Sequence, residues 1–131
     1  MTAQPWTPDY DWGYGRENEN QLLNMLVCIT VTDGDETVCA DLRRALREGF
    51  AHKTPAEGVP EGFGAYGGGA SMLRFGAGSA DEPVQIAICS GGQDAIDSVE
   101  MCTDAIWAMI ERFADVIDVQ WDYKPYTQSA I

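Results

Sequence analysis

The stretch from Gln93 to Val116, QDAIDSVEMCTDAIWAMIERFADV, decides how the rest of the chain is interpreted. Its apolar residues recur at alternating spacings of three and four, which places them on one side of an α-helix. These residues are Val99, Cys102, Ile106, Met109, Phe113 and Val116. The pattern predicts one long amphipathic helix whose apolar side packs on strands that come before and after it.

The same predicted helix carries carboxylates on a second side. They form an acidic surface made of Asp97, Glu100, Asp104, Glu111 and Asp115. Like charges four residues apart destabilise a helix by about 0.2–0.5 kcal/mol per pair, and such pairs occur here with only Arg112 near enough to relieve them. Because the sequence keeps this repulsion, it indicates either that the acidic residues have a function or that the protein works in a salty solvent that screens them. Trp107 lies among the acids, where it needs a partner or another segment to cover it.

The segments around this helix have the patterns of β-strands. Leu22–Thr32 and Val84–Cys89 are apolar on both faces, which is typical of central strands. Ser71–Ala77 is joined to the second of these by a polar turn. Ile117–Tyr123 alternates apolar and polar residues, as a half-exposed strand does. We therefore predict four strands.

A first helix is predicted over Glu36–Glu48, between the first two of these strands. The preceding segment, Asp33–Glu36, resembles the start of a calcium loop, but Arg44 stands at the twelfth position, where that loop needs a glutamate. A turn whose aspartate caps the helix is the better interpretation. Gly49 is predicted to end the helix in the C-cap position.

The order strand, helix, strand, strand, helix, strand predicts an α+β fold, a ferredoxin-like (split βαβ) sandwich. Its four-stranded antiparallel sheet carries two helices on one face, with an N-terminal aromatic arm in addition. In this plan we expect the first and third strands to be central and parallel to each other. The helices are expected to cover the face that carries Val27, Ile29, Ile86, Ile88, Val119 and Trp121.

The opposite face of the predicted sheet is less polar than a fully solvated face should be. It carries Cys28, Thr30, Ala87, Cys89, Gln120 and Asp122. With Leu26, Leu73 and Phe75 added to it, this patch is expected to exceed the apolar area that monomers normally leave exposed. We expect the aromatic arm, the glycine-rich loop or a second subunit to cover it.

The chain divides into an N-terminal arm of residues 1–20, a single α+β domain of residues 21–124 and a C-terminal tail of residues 125–131. Within the domain, residues 51–70 form a loop with six glycines and two prolines, too long for a simple connector. The arm carries four large aromatic residues, Trp6, Tyr10, Trp12 and Tyr14. Because aromatic residues are enriched at interfaces, these four and Trp107 are predicted interface residues. The arm is expected to dock on its own domain or on a neighbour.

The charge of the chain excludes several classes of partner. Its 131 residues include 21 acids and 8 bases, for a formal net charge of -13. Such a surface repels the phosphates of nucleic acids and anionic membranes, so neither is expected as a direct partner. Two interpretations remain: a surface adapted to high salt, or mimicry of a polyanion that occupies a basic groove on a partner.

No motif in the sequence carries a reaction or holds a metal or cofactor. The four cysteines are Cys28, Cys39, Cys89 and Cys102. They include no CxxC pair and match no zinc spacing, so free buried thiols are predicted. His52, Cys89 and the carboxylates near the glycine-rich loop are the only candidates for an enzyme, and nothing places them within reach of one another. We predict no catalytic residues, no metal site and no cofactor.

These observations favour a non-catalytic subunit for assembly or protein interaction. Free thiols indicate a reducing compartment, and the N-terminus has no signal-peptide pattern, so the expected location is the cytoplasm or a virion. The expected partner is a protein, above all other copies of the chain. The surface charge of the chain resembles that of halophilic proteins. Structural subunits of a virion tail or connector are one class that fits. The alternative is an acidic nucleic-acid mimic that inhibits a basic protein, and a small enzyme is the third hypothesis.

Overall fold

The computed structural model of the chain describes residues 2–51, 63–66, 71–74 and 82–128. The helices are α1 (Tyr10–Tyr14), α2 (Glu36–Ala51) and α3 (Ala95–Ile110), and a 3-10 turn over Glu111–Phe113 follows α3. The strands are β1 (Gln21–Val31), β2 (Phe63–Tyr66), β3 (Ser71–Arg74), β4 (Val84–Ser90) and β5 (Ile117–Gln128). The mixed α+β class predicted from the sequence is confirmed.

Within the described residues, five strands form one sheet in the order β2-β3-β4-β1-β5. Every neighbouring pair is antiparallel. The four-stranded ferredoxin-like sandwich is not confirmed, because β2 adds a strand inside the segment predicted as a glycine-rich loop. The prediction that the first and third predicted strands, β1 and β4, are parallel is wrong. Helix α3 returns the chain so that β4 and β5 run the same way, and β1 lies between them, antiparallel to both.

The core lies between one face of this sheet and the helices α2 and α3. Alternate residues of β1 and β4 are buried there, and the register aligns Val27 with Ile86 and with Trp121. The predicted core face is confirmed for Val27, Ile29, Ile86 and Ile88, while Val119 and Trp121 are half-buried against the same core. The apolar side of α3 follows the predicted spacing, because Val99, Cys102 and Ile106 are buried.

Helix α3 is shorter than predicted. The predicted helix ran from Gln93 to Val116, whereas α3 ends at Ile110 and gives way to the 3-10 turn. The carbonyl of Val116 accepts hydrogen bonds from the backbone N–H of Thr32 (2.9 Å) and from its hydroxyl (3.1 Å). These bonds hold the start of β5 beside the end of β1, so the chain has to leave the helical path before Val116.

Helix α2 is longer than predicted. It begins after Asp35, whose carboxylate accepts the backbone N–H of Val38 at 3.0 Å, as the capping prediction requires. Gly49 does not end it, and the helix continues to Ala51. Gly49 lies inside α2 where this helix approaches α3, and a Cβ there would meet Sδ of the flexible Met109 side chain at 2.5 Å. The prediction that Gly49 is a C-cap is wrong.

Strand β5 continues through most of the segment predicted as a C-terminal tail. It extends to Gln128, where the prediction ended it at Tyr123. A register shift opposite Leu22 and Asn24 accommodates Pro125, whose carbonyl accepts a hydrogen bond from Nδ2 of Asn24 at 3.2 Å. Because β5 is an edge strand, a proline is tolerated there. Of the predicted loop at residues 51–70, only Ala51 and β2 are described, so His52 lies outside the described residues.

Candidate interaction surfaces

The N-terminal arm packs on its own domain. Trp6 is only 8% exposed, and its Nε1 donates a hydrogen bond to Oη of Tyr123 at 3.0 Å. The ring of Trp12 stacks on the ring of Tyr123, with centroids 4.6 Å apart and an interplanar angle of 23°. Tyr123 aligns with the buried Met25 of β1, so it lies on the core side of the sheet. The arm therefore covers the core side of β5 and forms a third element in the helical layer.

Hydrogen bonds to backbone carbonyls anchor the arm along its length. The backbone N–H of Ala3 donates to the carbonyl of Ala114 at 2.8 Å, and Nε1 of Trp121 donates to the carbonyl of Gln4 at 3.1 Å. Further along, Oη of Tyr126 donates to the carbonyl of Trp12 at 2.7 Å. These hydrogen bonds hold both the extended part of the arm and helix α1 against β5 and the end of α3.

Arg16 fastens the end of the arm to two other segments, and sequence reasoning missed it. Its guanidinium donates from Nη1 to the carbonyl of Gln21 and from Nη2 to the carbonyl of Gly92, both at 2.8 Å. The backbone N–H of Gly92 in turn donates to the carbonyl of Glu19 at 3.2 Å, and its φ of 86° suits glycine. The turn at Gly91 and Gly92, just before α3, thus binds the end of the arm. An isolated arginine just before a strand is the only sequence signal, and it is a weak one.

Replacing Arg16 by Ala is expected to lower the free energy of unfolding by about 1–2 kcal/mol. Each of its two hydrogen bonds joins a charged donor to a carbonyl, a type that contributes more than a neutral pair. Chemical denaturation measures the change. Arg44→Ala is the control, because Arg44 is exposed and pairs with Asp41 on the surface of α2 at 3.2 Å, so its loss should change stability by less than about 0.5 kcal/mol. Equal effects of the two substitutions would contradict the anchoring role.

The five predicted interface residues have different environments. Trp6 and Trp12 meet edge to face inside the arm, with ring centroids 6.1 Å apart. Tyr10 and Tyr14 are exposed on α1, and Trp107 is half-buried against the core. Contact of these residues with a partner stays a prediction, but the side chain of Trp6 is largely buried by contacts within the chain.

The acidic surface lies on the outer side of α3 and continues past its end. Asp97, Asp104, Glu111 and Asp115 are exposed and Glu100 is half-buried. Asp115 accepts a hydrogen bond from the hydroxyl of Thr2 at 3.0 Å. No group of acidic, histidine or cysteine side chains in the described segments is arranged to hold a metal ion. This surface is one of uniform sign, suited to solvent cations or to a basic partner.

The side of the sheet opposite the helices is the second candidate surface, here called the open sheet face. Its residues are Leu22, Asn24, Leu26, Cys28, Thr30, Gln85, Ala87, Cys89, Asp118, Gln120, Asp122 and Lys124. Those from β1 and β4 are all half-buried. A groove of about 420 Å³ on this face has Leu26, Ala87, Cys89, Lys124 and Pro125 among its lining residues. The face is apolar at its centre and polar along β5.

Of the three coverings expected for this face, the aromatic arm is ruled out by its position. The described helices and the arm all lie on the core side. Most of the glycine-rich loop lies outside the described residues, and cover by a second subunit stays a prediction. The arm was a wrong candidate because Trp6 and Trp12 pack on Tyr123, and Nε1 of Trp121 donates to the carbonyl of Gln4.

Two of the four free thiols lie on the open sheet face. Cys39 and Cys102 are buried as predicted, whereas Cys28 and Cys89 are half-buried. Desolvation raises the pKa of both half-buried thiols above the ordinary value of 9.0, and the carboxylate of Asp122 adds to the rise at Cys28. A thiol with a raised pKa stays protonated at neutral pH and is a poor nucleophile. This chemistry gives no support to Cys89 as a catalytic residue.

Alkaline pH is expected to destabilise the fold through these two thiols. Because the pKa of each is raised by folding, the folded chain holds the two protons more tightly than the unfolded chain. The resulting stabilisation is complete below the pKa of the unfolded chain and is lost as the pH rises through the pKa of the folded chain. Denaturation curves from neutral to alkaline pH should show a smaller alkaline loss after substitution of Cys28 and Cys89 by Ala. An unchanged loss would contradict the assignment.

In the part of the chain that the structure describes, no helix has the length and apolar character needed to cross a bilayer. Comparison of the sequence with protein-family models and with curated proteins gives no match. Function is therefore inferred from the two surfaces and the arm alone.

Proposed function

We propose that the protein is a non-catalytic, acidic assembly subunit that binds a second copy of itself through the open sheet face. The observation that carries this proposal is the apolar centre of that face, where Leu26, Ala87 and Cys89 are half-buried with no described helix over them. Contiguous apolar surface of this kind marks interaction sites in soluble proteins. Burying it against a partner gains about 25 cal/mol per Å² of apolar area.

Charge supports a second copy as the occupant. An interface between identical copies related by a two-fold axis uses the same patch twice, so the patch has to complement itself. The polar border of the open sheet face satisfies this condition, because Lys124 stands on the same strand as Asp118 and Asp122. The acidic surface of α3 does not satisfy it, because two copies of a surface with one sign repel each other.

The edge of the sheet is a weaker candidate for assembly than its face. β5 forms one edge of the sheet that the described residues build, and sheet edges can add strands from other chains. Here the edge carries Pro125, a register shift and charged residues on both sides of Tyr123. Proline, irregular register and charge are the features by which natural proteins block strand addition.

The self-association should strengthen with salt. Two copies with a net charge of -13 each repel at low ionic strength, and the Debye length falls from about 30 Å at 0.01 M to about 3 Å at 1 M. Size-exclusion chromatography with light scattering, run over a series of protein and salt concentrations, should show a monomer in dilute buffer and a dimer at high salt. A monomer at every protein and salt concentration would overturn the proposal.

The acidic surface supports a second candidate, mimicry of a polyanion. Its exposed carboxylates, Asp97 and Asp104 on α3 and Glu111 and Asp115 beyond it, share one side of the molecule. Thermal unfolding separates this candidate from adaptation to salt. A melting temperature that rises steeply up to molar salt favours salt adaptation. High stability in dilute buffer, together with salt-sensitive binding to a purified basic nuclease, favours mimicry.

For the fold, we propose that β5, β1, β4 and β3 with α2 and α3 form a ferredoxin-like plan to which β2 is added at the edge. The support is the unit β4-α3-β5, whose two strands flank β1. NMR spectra without NOEs between the paired residues of β1 and β4 would contradict it. A structural subunit of a virion tail or connector fits this assembly role. The proposed self-association does not require that the protein is part of a virion.

A further inference from the structure

We propose that a groove between the arm and β5 binds an arginine side chain in an extended segment of a partner protein. The groove has a volume of about 510 Å³ and is lined by Thr7, Pro8, Asp9, Tyr10, Asp11 and Tyr123. It lies on the arm side of the molecule, opposite the open sheet face. It is therefore a second site, and it does not depend on the self-association proposed above.

The two tyrosines that border the groove present aromatic surface to solvent. Tyr10 is 52% exposed and Tyr123 is 42% exposed, and both stand among the large apolar side chains that the described part of the chain leaves exposed. Tyrosine combines a large apolar ring with a polar end and is enriched among the residues that dominate binding energy at interfaces. Two exposed rings on one groove are a suitable site for a planar cation.

The groove is held in shape before any ligand arrives. Behind Tyr123, the ring of Trp12 is stacked at 4.6 Å and Nε1 of Trp6 donates to the Tyr123 hydroxyl. The carboxylate of Asp9 accepts the backbone N–H of Trp12 at 3.0 Å and fixes the start of α1. A preformed site of this kind loses little conformational entropy on binding.

The lining selects the chemistry of the ligand. Asp9 and Asp11 bring negative charge to a groove on a chain with a net charge of -13, so anions are repelled. A guanidinium group is planar, stacks on aromatic rings and pairs with carboxylates, which an ammonium group does less well. The groove is larger than one guanidinium and includes Thr7 and Pro8, so residues beside the arginine also have a surface to contact. An extended segment is the form of peptide that such aromatic-lined grooves accept.

The test uses the full chain and a blocked pentapeptide, acetyl-Gly-Pro-Arg-Pro-Gly-amide, as the probe. Calorimetry or tryptophan fluorescence measures its dissociation constant. The matched probe carries citrulline in place of arginine, which keeps the shape and removes the charge. We expect the arginine peptide to bind at least about fivefold more tightly than the citrulline peptide, because the cation–π and carboxylate contacts both require the charge.

Matched variants separate the groove from general attraction to an acidic protein. Asp11→Asn and Tyr10→Ala should each weaken binding at least about threefold. The controls are Asp104→Asn, which removes the same charge from the acidic surface, and Tyr14→Ala, which removes a tyrosine that is 67% exposed outside the groove. Both controls should stay within about twofold of the unmodified chain.

Two results would overturn the inference. Equal affinity for the arginine and citrulline peptides, or no binding of either, would remove the guanidinium site. Equal losses from Asp11→Asn and Asp104→Asn would show attraction by net charge alone. If Tyr10→Ala changes the fold of the arm, seen in its tryptophan emission, the peptide pair and the two aspartate variants decide the question.

Discussion

We expect the replacement of Leu26 by Lys to leave the protein folded and to convert the proposed salt-induced dimer into a monomer. Leu26 lies at the centre of the open sheet face, aligned with Ala87 on one side and with Asp122 on the other. In the monomer the new ammonium group stands opposite the carboxylate of Asp122, a cross-strand pair of opposite charges. In a two-fold dimer, two ammonium groups are brought together in a desolvated contact, which is strongly unfavourable.

The dissociation constant of the dimer at high salt should rise at least about 100-fold, equivalent to roughly 2.7 kcal/mol. Sedimentation equilibrium measures it. The matched control is Met101→Lys, because Met101 is a large apolar residue that is 71% exposed on α3, among the acids and away from the open sheet face. The control should leave the dimer within about twofold of its original strength. A dimer that survives Leu26→Lys, or one that Met101→Lys disrupts equally, would place the contact elsewhere.

The second large effect is expected from Gly13→Ala in helix α1. A Cβ at Gly13 would lie 2.6 Å from Cδ1 of Ile96 and 3.0 Å from its Cβ. Ile96 is branched at Cβ and only 2% exposed in the core, so it has no room to move away. The arm has to shift from α3, and the free energy of unfolding should fall by roughly 2 kcal/mol. The melting temperature should fall by about 5–10 °C.

Gly49→Ala provides the matched control for Gly13→Ala. It is also a glycine packed on α3, but the atoms that its Cβ would meet are the far end of the flexible side chain of Met109. That side chain can change rotamer, and alanine is about 1 kcal/mol better than glycine inside a helix. The control should therefore leave the melting temperature nearly unchanged or slightly raised. Equal losses for the two variants would contradict the docking of the arm on Ile96.

Much of the fold was predictable because its signals are local. The spacing of Val99, Cys102 and Ile106 predicted α3 and its buried side, and the alternation in β1 predicted which residues face the core. The half-apolar character of the open sheet face also followed from the alternation of Cys28 and Thr30 with buried neighbours. In each case the pattern that carries the prediction repeats about once per helical turn or every two residues of a strand.

The features that sequence reasoning missed depend on contacts between distant segments. Gly49 had the signature of a helix end, but α2 continues past it where it approaches α3. The prediction ended the last strand at Tyr123, but an edge strand with a shifted register tolerates Pro125 and continues to Gln128. The bonds from Arg16 to Gln21 and Gly92 have no periodic signature at all. The same limit applies to the groove at Tyr10 and Tyr123, since 113 positions of sequence separate its two rings.

The hydrogen bond between Trp6 and Tyr123 has a consequence for the order of events during synthesis. Its partners are 117 positions apart, so the arm leaves the ribosome long before the strand that receives it. At about 5–20 residues per second, the tryptophans of the arm wait roughly 6–25 s for β5. Strand β1 also pairs with β5 on one side and with β4 on the other, so its hydrogen bonding is complete only when both strands have been made. The nascent chain therefore completes its core only after β5 has emerged, and Trp6 and Trp12 reach their packed positions on Tyr123 only then.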